Sequence, residues 1–177
     1  AILFDFMGYS RKVPVKKLNL KTYEDLAKHL WGTFSHLSHN CQRLDIVFDL
    51  YLDQSIKQQE RNRRGDAQII ETTIKNIKQS LPVEMEKFWG SSGNKMQLEQ
   101  VFITWLMEEY KGSKPLYLGG ANRDDITSCY KIMDGHVITQ PLLKCNHEEA
   151  DDRIIFHANH AVKVDNFAKI IIASPDT

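Results

Sequence analysis

The sequence predicts an α/β domain on a mostly parallel central sheet, and three observations predict it. Short apolar runs (Ile2-Leu3-Phe4, Leu44 to Phe48, Leu116-Tyr117-Leu118, Ile170 to Ala173) alternate with longer segments whose apolar residues recur at helical spacing. The runs are short and continuous, as strands covered on both faces are. Asp5, Asp49 and Asp176 each follow such a run, the edge where parallel sheets bind ligands. With 177 residues at 42% hydrophobic, the chain has enough apolar surface for one core and too little length for two, so residues 1–177 are expected to form a single domain.

Taken in order, the first strand ends at Asp5, and Gly8 allows a turn behind it. A basic segment with Pro14 follows, which excludes a central strand there. Thr22 and Asp25 mark a helix start, and Leu26, Leu30, Phe34 and Leu37 give that helix one apolar face. The second strand, Leu44 to Phe48, ends at Asp49. Beyond it Lys57, Arg61 and Arg64 share one helical face before Gly65, and Asp66 to Gln79 reads as a further helix stopped by Pro82. Glu84 to Gly93 reads as an irregular connection. Asn94 with Gln97 has the form of a helix cap, followed by an apolar face of Leu98, Val101, Phe102, Trp105 and Leu106 that Gly112 ends. Leu116 to Leu118 is a third strand, Asp124-Asp125 begins a helix through Tyr130 and Met133, and His136 to Thr139 is another strand. Asn146 caps the last helix with Glu149 completing a capping box, and Ile170 to Ala173 is a strand buried on both faces, ended by Ser174-Pro175. The start at Ala1 and the stop at Thr177, just after a strand, are expected of a fragment truncated at its C-terminus.

Lys+Arg and Asp+Glu both number 23, so bulk charge points neither to nucleic acid nor away from it. The three cysteines are widely spaced and no secretory or membrane segment is evident, which makes a reducing intracellular setting, nuclear or cytoplasmic, the expectation, with no membrane partner.

The right-handed crossover of parallel strands brings Asp5, Asp49 and Asp176 to one edge, and the acidic helix start at Glu148, Glu149, Asp151 and Asp152 can join them. A single Asp after a strand is ordinarily a turn or helix cap. Several ionised carboxylates together repel one another unless a cation screens them, and oxygen-only donors suit Mg²⁺ or Mn²⁺. Lys57, Arg61, Arg63 and Arg64 can hold phosphates beside such a site, although a basic helix face is more often only solvated. Cys145, His147, His157 and His160 lack the paired spacing of a zinc motif, and the histidines suit helix packing. Trp31, Trp89 and Trp105 belong to core faces, and no Walker loop, G-x-S-x-G or dinucleotide fingerprint occurs.

Three stretches resemble the PIN-like nuclease superfamily, and most its flap endonuclease branch. IVFDLYLDQSIKQQERNRR is similar to that branch's strand, Asp and basic helix; Glu149-Ala150-Asp151 resembles its acidic helix start; SPDT resembles the opening of its later D-x-D segment. HEEADDR followed by SPDT is closer still to an uncharacterised animal group with H-E-E-A-D-T-R and S-P-D-T-D. Leu50 stands where flap endonucleases have Gly, and Asp152 where the animal group has Thr. The resemblance implies a three-layer α/β/α fold, metal-ligand and catalytic roles for Asp5, Asp49, Glu149, Asp151 and Asp176, and phosphate contacts from Lys57 and one of Arg61, Arg63 or Arg64. The function so implied is divalent-metal-dependent phosphodiester hydrolysis of DNA or RNA. The alternative is a catalytically silent PIN-like module that binds nucleic acid or protein. A phosphoryl-transfer domain with Asp5 or Asp49 as nucleophile ranks last, because Met7 stands where the second acid would be.

Overall fold

The computed structural model describes residues 1–51, 70–120, 125 and 127–175. Its apolar runs pair into one sheet of six strands, in the order β5-β4-β3-β2-β1-β6. These are β1 (Ile2–Asp5), β2 (Leu44–Val47), β3 (Leu116–Gly119), β4 (Cys129–Met133), β5 (His136–Thr139) and β6 (Ile171–Ala173). β1 pairs parallel with β2 and β6, and β2 with β3, whereas β3, β4 and β5 are antiparallel. The fold is α/β with a mixed sheet, parallel in the half that carries the acids. The order reverses at β1: the chain moves out through β2 and β3 on one side and returns to β6 on the other.

The described helices are α1 (Phe6–Lys12), α2 (Tyr23–Leu37), α3 (Met85–Trp89), α4 (Ser92–Glu109) and α5 (Ala150–Lys163). Successive side chains of a strand point to opposite faces, so each buried strand feeds two cores. Ile2, Phe4, Ile46 and Leu118 pack with Leu30 and Phe34 of α2 and with Leu98 and Phe102 of α4. Leu3 and Val47 pack instead with Ala150, Ile154 and Ala161 of α5. No described helix is long and apolar enough to cross a membrane.

Local chemistry explains both agreements and departures. Thr22 caps α2 with the expected reciprocal bonds, its hydroxyl accepting from the Asp25 N–H and the Asp25 carboxylate from the Thr22 N–H. The helix expected over Asp66 to Gln79 is not formed in its described part, residues 70–79. Side-chain amides take that backbone instead: Asn94 accepts from the Thr72 N–H and donates to the Ile70 carbonyl, and Gln97 does the same for Ile74 and Thr72. Asn94 is therefore not a cap, and Ser91 fills that role for α4. The segment expected to be irregular contains the short α3.

Of the helix expected from Asp124 through Met133, residues 129–133 form β4 instead, and the turn to β5 supplies the reason. Asp134 and Gly135 have φ of 51° and 76°, the left-handed pair that a tight hairpin needs. β6 is an edge strand with Ile172 54% exposed, not one buried on both faces, because among the described strands only β1 pairs with it.

Candidate functional site

Asp5 is the last residue of β1 and also the N-cap of α1, its Oδ1 accepting from the Gly8 N–H at 3.0 Å. The parallel register sets Asp5 opposite Val47, so Asp49 follows at the same edge of the sheet. Asp49 Oδ1 accepts from the Ala150 N–H at 2.9 Å, and its Oδ2 from the Tyr51 hydroxyl at 3.2 Å. The first amide of α5 is thus bound by an acid from another element. That is why the expected cap does not form: the N-cap is Glu149, with no side-chain cap bond, and Asn146 lies outside the helix.

This docking brings the acidic start of α5 to the edge. Burial pushes the Asp5 carboxyl above its ordinary range; the Gly8 N–H opposes this, and the neighbouring charges of Asp49 and Asp151 add to it. Asp5 therefore lies within reach of the charges of both Asp49 and Asp151. Asp151 and Glu149 are exposed, whereas Asp5 and Asp49 are half-buried. Asp176, Lys57, Arg61, Arg63 and Arg64 lie outside the described residues. Among the described residues, no three His, Cys, Asp or Glu side chains approach closely enough to hold a metal ion.

Sequence reasoning missed a contribution from the other face. The buried stripe of α4 is Lys95, Leu98, Glu99, Phe102, Ile103 and Leu106, turned from the stripe expected, and Val101 and Trp105 are only partly buried. Glu99 is fully buried and neither carboxylate oxygen has a hydrogen-bond partner. Burial pushes its carboxyl well up, Asp49 and Asp5 push the same way, and Lys95 and Arg153 oppose them. Arg153, also fully buried, donates from Nη1 to the Cys145 and His147 carbonyls, while its Nε and Nη2 have no partner. The detectable signal was a Lys and a Glu, one turn apart, on a stripe whose period calls for apolar residues.

Two histidines of the string that lacks zinc spacing, His157 and His160, serve a buried polar network between β2 and α5, whereas His147 is exposed. Arg43 Nε and Nη2 donate to the two Asp45 oxygens at 2.7 and 2.6 Å, and its Nη1 donates to Asp165 at 2.7 Å. His157 Nδ1 meets Asp45 Oδ2 at 2.7 Å; an ionised carboxylate only accepts, so this nitrogen carries the proton. His160 Nδ1 lies 3.0 Å from Arg43 Nη1, a bond it makes as an acceptor. Burial opposes the Asp45 charge, but the bonds from Arg43 and His157 outweigh it and hold the carboxyl below its ordinary range. The guanidinium also lies 3.9 Å over the Tyr117 ring. All three Arg43 nitrogens and His157 Nδ1 are bonded within the group, while His157 Nε2 is buried without a partner.

No family model, curated protein or solved structure matches the chain.

Proposed function

We propose that the chain is a divalent-metal-dependent phosphodiesterase acting on nucleic acid, with the three-layer architecture of PIN-like nucleases. The observation that carries the reading is the docking of α5: Asp5 and Asp49 end neighbouring parallel strands, and Asp49 binds the first amide of the helix that bears Asp151. The donors are all carboxylate oxygens, which fits Mg²⁺ or Mn²⁺ and not zinc. Asp5, Asp49, Glu149, Asp151 and Asp176 would hold the metal. Bound there, the ion supplies an activated water and stabilises the leaving oxygen. Asp49 positions α5, and the half-burial of Asp5 and Asp49 restricts water around the reacting phosphate. Lys57, Arg61, Arg63 and Arg64 would bind flanking phosphates of DNA or RNA.

A second reading, a silent PIN-like module that binds nucleic acid or protein, is favoured by one observation: no three described His, Cys, Asp or Glu side chains converge on a single point. Cleavage of labelled single-stranded, duplex and flap DNA and RNA in Mn²⁺, Mg²⁺ or EDTA separates the two. Metal-dependent cutting that falls by roughly 100-fold or more in Asp49→Asn supports the phosphodiesterase. The asparagine oxygen still accepts from Ala150, so a folded, inactive variant is expected. Absence of cutting and of Mn²⁺ binding in the unaltered protein would establish the silent module.

A further inference from the structure

The basic segment that follows α1 has no part in the proposed site. Residues 13–21 fold into a compact turn, in which the Leu18 N–H donates to the Pro14 carbonyl and the Leu20 N–H to the Val15 carbonyl. That turn is tied to the strip before α3: the Leu81 N–H donates to the Lys21 carbonyl at 2.8 Å and the Tyr23 N–H to the Gln79 carbonyl at 3.1 Å. Between the turn and residues 80–89 lies a cavity of about 810 Å³. Arg11, Lys16, Lys17 and Lys21 line it, all exposed, and among the described residues none of these four side chains makes an ion pair. The acids of the lining are Glu84, which Lys87 pairs at 2.7 Å, and Glu86, so the cavity keeps a positive excess on a chain whose formal net charge is zero. Leu20, Leu81, Met85 and Trp89 add a half-buried apolar lining, and Trp89 meets the core as well as the cavity.

We infer that this cavity binds a single strand of nucleic acid, with Arg11 and the three lysines on backbone phosphates and the apolar lining against unstacked bases. Unpaired cations around a concavity attract a polyanion. The apolar lining decides which one. A duplex keeps its bases paired inside and has no use for Leu81, Met85 or Trp89, whereas a single strand can lay its bases against them. An acidic peptide matches the charge but leaves that lining uncovered. The cavity also lies where a strand bound at the acidic edge would continue. Asp5 caps α1 and Arg11 stands in its last turn, so seven residues at ~1.5 Å each set the near wall of the cavity roughly 10 Å from Asp5. The inference rests on the nucleic-acid part of the proposed function and not on its metal.

Binding of labelled oligothymidine, its abasic counterpart and a duplex of equal length is measured by fluorescence anisotropy in EDTA across a salt series. The unaltered chain is compared with the triple variant Lys16→Ala, Lys17→Ala, Lys21→Ala, whose positions are exposed and keep their backbone bonds. Loss of three phosphate contacts should weaken single-strand binding by about 10-fold or more and lower the slope of log K against log salt by roughly 2, at ~0.7 per contact. The abasic strand keeps its phosphates and loses stacking, so it should bind the unaltered chain about 10-fold more weakly with the slope unchanged. That comparison needs no variant and stands even if the triple variant misfolds. Equal affinity and slope in the folded triple variant overturn the inference, and cutting by the unaltered chain in Mn²⁺ then keeps the nuclease reading. Lysine-dependent single-strand binding without any cutting supports the inference and sinks the phosphodiesterase instead. Tighter binding of the duplex overturns it, as does lysine-dependent capture of polyglutamate or anionic vesicles with no oligonucleotide bound.

Discussion

Two carboxyl groups inside the protein, those of Asp45 and Glu99, are fully buried and have opposite fates. Asp45 has Arg43 on both oxygens and His157 on one, so its charge is compensated where it stands. Removing one partner of such a pair leaves an uncompensated buried charge, so Asp45→Ala is expected to lose about 3–5 kcal/mol in urea unfolding. A loss under about 1 kcal/mol would show that the network rearranges freely. Gly119 is the neighbouring requirement. A Cβ there would overlap His157 Nε2, which is buried against the β3 backbone. Gly119→Ala should therefore displace the imidazole and lower stability by about 1–3 kcal/mol, read by the same unfolding and by the His157 ring resonances.

Between elements, side chains decide where the backbone goes. Residues 70–74 run beside the start of α4 because Asn94 and Gln97 supply donors and acceptors to their peptides. Asn94 also donates to the Phe88 carbonyl, so one amide holds the end of α3 and the 70–74 strip together. Asn94→Ala is expected to cost about 1–3 kcal/mol and to raise hydrogen exchange at Thr72 ahead of the sheet amides. Unaltered exchange at Thr72 would mean that packing of Ile74 against the core suffices. The start of α5 follows the same rule, its first amide bound by Asp49 and not by a local cap.

For the whole molecule the opposing burials predict how stability varies with pH in EDTA. Asp45 has a lowered folded pKa, so its contribution is present above the unfolded value of roughly 4 and is lost as pH falls through the lower folded value. Asp5 and Glu99 have raised folded pKa values, so folding takes up protons there and stability rises as pH falls from neutrality through those values. His160, whose pKa burial lowers, opposes this rise as pH falls through the ordinary histidine value. Melting temperature should drop below about pH 4 as the Asp45 contribution is lost. Glu99→Gln removes one proton-uptake site, so its melting temperature should gain less on acidification from neutrality than that of the unaltered chain, with the acid drop kept. Identical pH profiles for the two proteins would contradict the assignment to Glu99.

The sequence by itself determined the strands β1, β2, β3, β5 and β6, the helices α2, α4 and α5, the α/β class, and the placing of acids after strands. Those features are local: apolar runs, a reciprocal Thr22–Asp25 cap, and Asp5 and Asp49 just past short strands. Only the tertiary structure decided the rest. Residues 70–79 carry a helical pattern, but side chains from α4 compete for their peptides. Residues 129–133 are a strand because β3 pairs with them. Asn146 and Glu149 form a capping pattern that the distant Asp49 supersedes. Glu99 reads as one charge in an amphipathic helix until packing buries it beside Asp49, because burial depends on what lies across the sheet and not on spacing along the chain.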